Sequence, residues 1–345
     1  MDGVVPQSVL DRRESRLDQS GRRRLLAVGI KRLVPGSLAV GVLGWLLAGS
    51  SFVLFAAEPQ VPDAQRAFGY LQQVCAIGPR ISGTPEMAQQ QELLAQHFTG
   101  LGAQVSFQEW DTPHPVSGQP VRLKNMIVCW HPGTTERVLL CCHYDTRPRP
   151  DEELFAVNRD KPFIGANDGG SGVAVLMELG HFMRGLPVKQ GVDFIFFDAE
   201  ELIYEKPGKF FLGSEHFSTQ YRDARPSHRY TCGVLLDMVG DKDLKIWQEV
   251  NSARLAGFVT DSVWASAKVE GIKEFIAKRK HTVNDDHLSL NQIAGIPTCV
   301  VIDFDYPHWH KRNDLPAACS GESLAKVATV MRHWMQNTPV QPARK

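Results

Sequence analysis

Four apolar runs in this chain stop at acidic or imidazole side chains, and that recurrence limits the possible folds more than any total. "VLLCC" runs into His143, Tyr144 and Asp145, and "DFIFF" into Asp198, Glu200 and Glu201. "CGVLL" stops at Asp237, and "IPTCVVI" is followed by Asp303, Asp305, His308 and His310. A fifth feature, "GANDGGSG", puts Asp168 in a glycine-rich turn just before a helical pattern. Each run alone has an ordinary explanation, because short motifs recur by chance and strands must end somewhere. A single His143 reads as a satisfied strand-end histidine, and a single Asp237 as a turn cap. Five acid-bearing ends in one chain do not reduce to loop chemistry.

The runs alternate with helical patterns. Phe68, Leu71 and Val74 give residues 63–78 helical spacing. Residues 84–102 form a clearer helix, with Thr84 as cap, Pro85 at the first position and Gly100 or Gly102 to end it. Further helices are expected over 171–186, from 213, over 252–271 and over 321–336, and strands over 103–110, 124–130, 137–145, 192–198, 232–240 and 296–304. Apolar, β-branched strands interleaved with helices predict an α/β fold. The expected architecture is a three-layer α/β/α sandwich with a mixed, mainly parallel central sheet. In such sheets sites form beyond the carboxyl ends of the strands, so the acidic ends should converge on one edge.

The chain has 345 residues, is 43% hydrophobic and carries no net charge, so no global field favours nucleic acid. Its basic residues are uneven: residues 1–36 hold eight Lys or Arg and four acids. Residues 37–57 carry no charge and are long enough to cross a bilayer as a helix. Basic residues ahead of such a run predict a cytoplasmic N-terminus. The expected organisation is a basic cytoplasmic segment over 1–36, a transmembrane signal-anchor over 37–57, a linker over 58–66 and a catalytic domain over 67–340. The enzyme would then be anchored in the membrane with its catalytic domain extracytoplasmic, or secreted if residues 37–57 are a cleaved signal peptide. Seven cysteines without a C-x-x-C pair suggest mostly free, buried thiols, with one disulfide left open.

Several carboxylates in one place repel each other and raise each other's pKa. A divalent cation removes that cost. Histidine and carboxylate without cysteine suit zinc in a catalytic site. One carboxylate in such a site is commonly left off the metal to move protons. Adjacent Glu200 and Glu201 point in different directions and offer both roles.

The ordered set His-x-Asp, Asn-Asp-x-x-Ser-Gly, Glu-Glu, Leu-Asp and a late His resembles the zinc aminopeptidase and glutaminyl cyclase superfamily, over about residues 66–336. "CCHYDTR", "FFDAEE", "FLGSEHF", "NDDHLSL" and "YPHWH" look more like its glutaminyl-peptide cyclotransferase branch. The resemblance implies a zinc exopeptidase-like fold acting on peptide or protein N-termini. It implies Asp168, Glu201 and His310 as zinc ligands and Glu200 as the proton-transfer group. Asp237 and Asp285 would be a hydrogen-bonded carboxylate pair near the substrate, and Trp309 part of the pocket wall. His143 and Asp237 would hold the second zinc of a two-metal aminopeptidase, so one ion is favoured and two remain open. Asp145 would orient His143, and Asp314 would orient His310. The chain departs from the animal cyclases after Glu201, where their Trp is replaced near Lys206, and Cys142 lacks the usual disulfide partner.

Two reactions use these groups. A cyclase closes an N-terminal glutamine on itself and releases ammonia; an aminopeptidase cuts off the first residue with water. An inactive binding ectodomain would need lost ligands, and every expected ligand is present. Other polar residues have plain readings. Arg147, Arg149 and Asp151 are assigned to a loop surface, and Asp198 and Asp303 to strand-end capping. His97, His131, His181, His216, His281 and His333 are assigned to surfaces or helices.

Overall fold

The structure is a computed structural model that describes residues 61–204 and 208–338. The expected membrane segment at 37–57 lies outside the described residues. Among the described residues no helix is long and apolar enough to cross a membrane.

Strands β1 (Gln104–Pro113), β2 (Pro120–Trp130), β3 (Glu136–His143), β4 (Gly191–Phe197), β5 (Arg229–Asp237) and β8 (Thr298–Ile302) form one sheet. Their order is β1-β2-β4-β3-β5-β8. β1 and β2 pair antiparallel, as do β2 and β4, while β4-β3, β3-β5 and β5-β8 are parallel. The mixed, mainly parallel sheet expected from the sequence is present. The short strands β6 (Ile246–Gln248) and β7 (Phe275–Arg279) make a separate parallel pair that the sequence reading missed. Three apolar-polar residues in β6 give too little alternation to distinguish from a loop.

Alternation along the central strands separates two cores. Val138, Leu140 and Cys142 of β3, with Val192, Phe194 and Phe196 of β4, face one layer. Leu139, Cys141, Ile195 and Phe197 face the other. The larger core is covered by α1 (Ala64–Ala76), α2 (Pro85–Gly100), α4 (Ser171–Gly180), α7 (Gly257–Val269) and α9 (Gly321–Asn337), through residues such as Leu71, Phe98, Val175, Val263 and Met331. The smaller core is covered by α5 (Leu212–Ala224), through Phe217, and by the π-turn Leu290–Ala294 that follows α8 (Asp286–Ser289). Two further short α-helices are described, α3 (Ala156–Arg159) and α6 (Val250–Leu255). The strands are apolar on both faces because both faces are covered.

Two boundaries differ from expectation. The linker expected over 58–66 ends earlier, because Asp63 caps α1 by accepting the Arg66 amide at 2.8 Å. Arg66 then pairs with the buried Glu178 at 2.6 Å, which ties residues 63–66 into the fold. The single helix expected over 252–271 is two helices, broken at Ala256, whose φ of −137° is outside the helical range. All seven cysteines are free, six of them buried and Cys129 half-buried.

Candidate metal centre and active site

The parallel strands deliver the site. β3 ends at His143, β4 is followed by Glu200 and Glu201, β5 ends at Asp237, and His310 lies beyond β8. Asp168 comes from the turn that opens α4. Gly169 in that turn has φ +83°, and a Cβ there would collide with the Asp145 carbonyl oxygen, so only glycine fits. Three non-glycine residues in the left-handed region also flank the site: Ala199 (φ 56°), Met238 (φ 45°) and His310 (φ 52°). Such conformations cost about 1–3 kcal/mol each and gather where geometry is demanded by function.

Two sets of donors share Asp168. Asp168, Glu201 and His310 form one and His143, Asp168 and Asp237 the other, each with ligand atoms within 4.8 Å of one another. His310 Nε2 is 2.7 Å from Glu201 Oε1 and 3.5 Å from Asp168 Oδ2. His143 Nε2 is 3.2 Å from Asp237 Oδ1 and 3.3 Å from Asp168 Oδ1. Asp168 Oδ2 is buried and accepts no hydrogen bond. A buried carboxylate oxygen left without a donor is costly, and a cation between these ligands satisfies it. The donor types, their spacing and this orphaned oxygen fit a metal ion.

The surrounding charges sort the two glutamates. Burial, the nearby carboxylates Glu201, Asp286 and Asp285, and only partial relief from His143 push Glu200 well above the usual carboxylate range. Burial would also raise Glu201, but His310 and Arg147 overcome it and hold Glu201 below the usual range. Glu201 is therefore ionised and suited to a ligand, while Glu200 holds a proton more readily than its neighbour. Burial, with Glu201 next, pushes Asp168 up to about 6. Burial opposes protonation of His143, yet Asp145, Asp168 and Asp237 raise it well above its ordinary value. Asp285 is raised by burial and then by Asp237.

A cavity of about 300 Å³ opens onto these groups. Its lining includes the carboxylates Glu200, Asp237 and Asp285 and the rings of Phe210, Phe211, Phe304 and Trp309. The Trp309 ring stacks on His310 with centroids 4.0 Å apart. The structure thus brings together every residue that the sequence reading named at the centre. No hydrogen bond links Asp237 to Asp285, although both face the cavity and Asp285 Oδ2 has no partner.

The supporting carboxylates act differently from expectation. Asp145 lies 3.7 Å from His143 Nδ1, too far for a hydrogen bond. It instead accepts the Glu200 and Glu201 amides at 3.1 and 3.0 Å, fixing the turn that carries both glutamates. Asp314 does not orient His310. It accepts the Asn167 and Asp168 amides at 2.8 and 3.1 Å and the Tyr306 hydroxyl at 2.7 Å, so it holds the other ligand's turn. Asp198 accepts the Lys124 amide and Asp303 the Lys245 amide, both as capping groups. Lys206 lies outside the described residues.

Sequence reasoning missed Arg147, which is 1% exposed. Its Nη1 donates to Glu201 Oε1 at 2.9 Å and its amide to Oε2 at 3.0 Å. An arginine two residues after His-x-Asp, in a site with surplus carboxylate, is the available signal. No local rule says that a loop arginine is buried.

The model of peptidase family M28 matches residues 125–335. A curated relative, the glutaminyl-peptide cyclotransferase of Drosophila melanogaster, is 23% identical over 278 residues, which is 74% of this chain and 75% of that one. Among solved structures, the glutaminyl cyclase of Fimbriiglobus ruber is 43% identical with a TM-score of 0.78, covering 81% of this chain and 96% of its own. A leucine aminopeptidase precursor from Bacteroides thetaiotaomicron is 31% identical with a TM-score of 0.75, covering 82% and 99%. With its sheet, its shared aspartate and its paired glutamates in the positions described, this chain belongs to peptidase family M28.

Proposed function

We propose that this chain is a glutaminyl-peptide cyclotransferase, converting the N-terminal glutamine of peptides or proteins to pyroglutamate with release of ammonia. The cavity carries the reading: its four aromatic rings suit the methylenes of a glutamine side chain, and its carboxylates suit the amine and amide. The 43% identity to the F. ruber glutaminyl cyclase supports it.

In the reaction the substrate's α-amine attacks its own side-chain amide carbon, and the bond to the amide nitrogen breaks. One proton must move from the amine to the departing ammonia. Glu200 faces the cavity beside the ligands, and its raised proton affinity suits it to accept and return that proton. Asp285 and Asp237 also line the cavity and would accept hydrogen bonds from the amine, holding it toward the amide carbon. Trp309, Phe304, Phe210 and Phe211 enclose the side chain and keep water from competing as nucleophile. Asp168, Glu201 and His310 would hold one zinc ion, which when bound supplies a Lewis acid toward the amide oxygen.

The second donor set, His143 with Asp168 and Asp237, favours a second reading as a zinc aminopeptidase. Mass spectrometry of a glutamine-starting peptide separates the two. Loss of ammonia above the uncatalysed rate, absent in Glu200→Gln, is the expected result. A peptide shortened by one residue would replace the cyclase with the aminopeptidase.

The uncharged 37–57 run and the basic residues before it support a membrane anchor with an extracytoplasmic catalytic domain. Membrane fractionation of the full chain against one starting at residue 58 tests this: the anchor is lost as an idea if both stay in the soluble fraction.

A further inference from the structure

Glu201 and His310 come from different strand ends, yet one short loop touches both. Arg147 sits in that loop with its guanidinium buried. One edge of the guanidinium meets Glu201, through Nη1 to Oε1 at 2.9 Å. Another meets Asp151 in a two-pronged pair, Nε to Oδ1 at 2.7 Å and Nη2 to Oδ2 at 3.0 Å. Asp151 Oδ1 in turn lies 3.5 Å from His310 Nδ1. That nitrogen is buried and makes no hydrogen bond, which leaves it the donor that faces the Asp151 carboxylate. The next residue closes the link, because the Glu152 amide donates to the His310 carbonyl oxygen at 3.2 Å. The Phe210 ring covers the guanidinium, with its centroid 5.5 Å from Arg147 Cζ.

We infer that Arg147 and Asp151 are positioning residues that join Glu201 to His310 and hold the two ligands at the spacing a metal ion needs. Two properties of the pair support the role. A guanidinium can serve two carboxylates at once in fixed planes, which an ammonium cannot. A carboxylate on the far nitrogen of a metal-binding imidazole fixes both its tautomer and its direction. Arg147 supplies the first and Asp151 the second, and their mutual pair makes the two ligands move together. The pair is also local in sequence, four residues apart in one loop, while the ligands it joins are more than a hundred residues apart.

The inference rests on the metal centre and not on which reaction the centre performs. It is tested with the full chain, stripped of metal and titrated with zinc against a chelator of known affinity. Thermal melts are recorded with and without zinc. Asp151→Asn should weaken zinc binding about tenfold or more and shrink the rise in melting temperature that zinc produces. Arg147→Lys, which keeps a cation but cannot span both carboxylates, should do the same. A purely structural role would lower both melts equally and leave their difference intact. Unchanged zinc affinity in both variants overturns the inference while the metal centre stands. Failure of the unaltered chain to bind zinc overturns the metal centre and the inference with it.

Discussion

At the start of β3 and β4, Arg137 and Asp193 are buried together and their polar atoms are fully engaged. Arg137 donates to both oxygens of Asp193 at 2.6 and 2.9 Å and to the carbonyls of His131, Trp130 and Val192, and Tyr230 donates to Asp193 as well. At the other end of the same strands the balance is reversed. Asp168, Asp237, Glu200, Glu201 and Asp285 face one cavity with His143, His310 and Arg147, and Asp168 Oδ2 and Asp285 Oδ2 have no hydrogen-bond partner. One sheet therefore buries charge in two ways. The closed pair is structural, since breaking it would strand a charge. The open surplus marks function, since its deficit is a cation and a substrate.

The comparison can be broken at either end. The largest effect belongs to the open end: Glu200→Gln should lower turnover by about 10²–10⁴-fold with zinc content unchanged. Glu201→Gln should instead lower zinc content by elemental analysis. Equal zinc loss in both variants would erase the division of labour between the two glutamates. At the closed end, Arg137→Met leaves Asp193 buried without its cation and should cost about 3–5 kcal/mol in denaturant unfolding, with turnover per folded molecule retained. Adding Asp193→Leu to it should recover most of that stability, as expected of a pair whose worth is mutual.

The most gradual effect is a pH slope. Burial, with Asp145 among the charges nearby, pushes Asp198 and Asp286 each up to about 7 from 3.8. Their native forms keep protons that the unfolded chain releases. Metal-free protein should thus be most stable below about pH 4 with respect to these groups, and lose that stability as pH rises through about 7. The slope is at most ~1.4 kcal/mol per pH unit for each group. Denaturant melts of metal-stripped protein at intervals from pH 4 to 8 measure it, and Asp286→Asn should flatten the curve. A slope of the opposite sign would mean that these carboxylates are paired.

Much of the site was legible from the chain alone because a strand end is a local event. Alternation locates β3, β4, β5 and β8, and the residue after each run is read directly, which found His143, Glu200, Glu201 and Asp237. The glycines around Asp168 were equally plain. Contacts between loops were not legible. Four residues of separation in sequence pair Asp314 with His310, yet Asp314 serves the Asp168 turn, which is 146 residues away. The sequence alone places Arg147 and Asp151 on a loop surface, because nothing local distinguishes a buried loop arginine from an exposed one. The break at Ala256 and the β6-β7 pair were missed for a related reason, since tertiary packing outweighs weak propensity over a few residues.

The sequence by itself determined the alternating α/β order, the apolar strands and the kinds of donor waiting at their ends, because these depend on residue type and period. The tertiary structure alone decided which carboxylate supports which ligand and which glutamate keeps its proton. Those outcomes depend on burial and on distances between segments far apart in the chain, and a period of two or 3.6 residues carries no record of either.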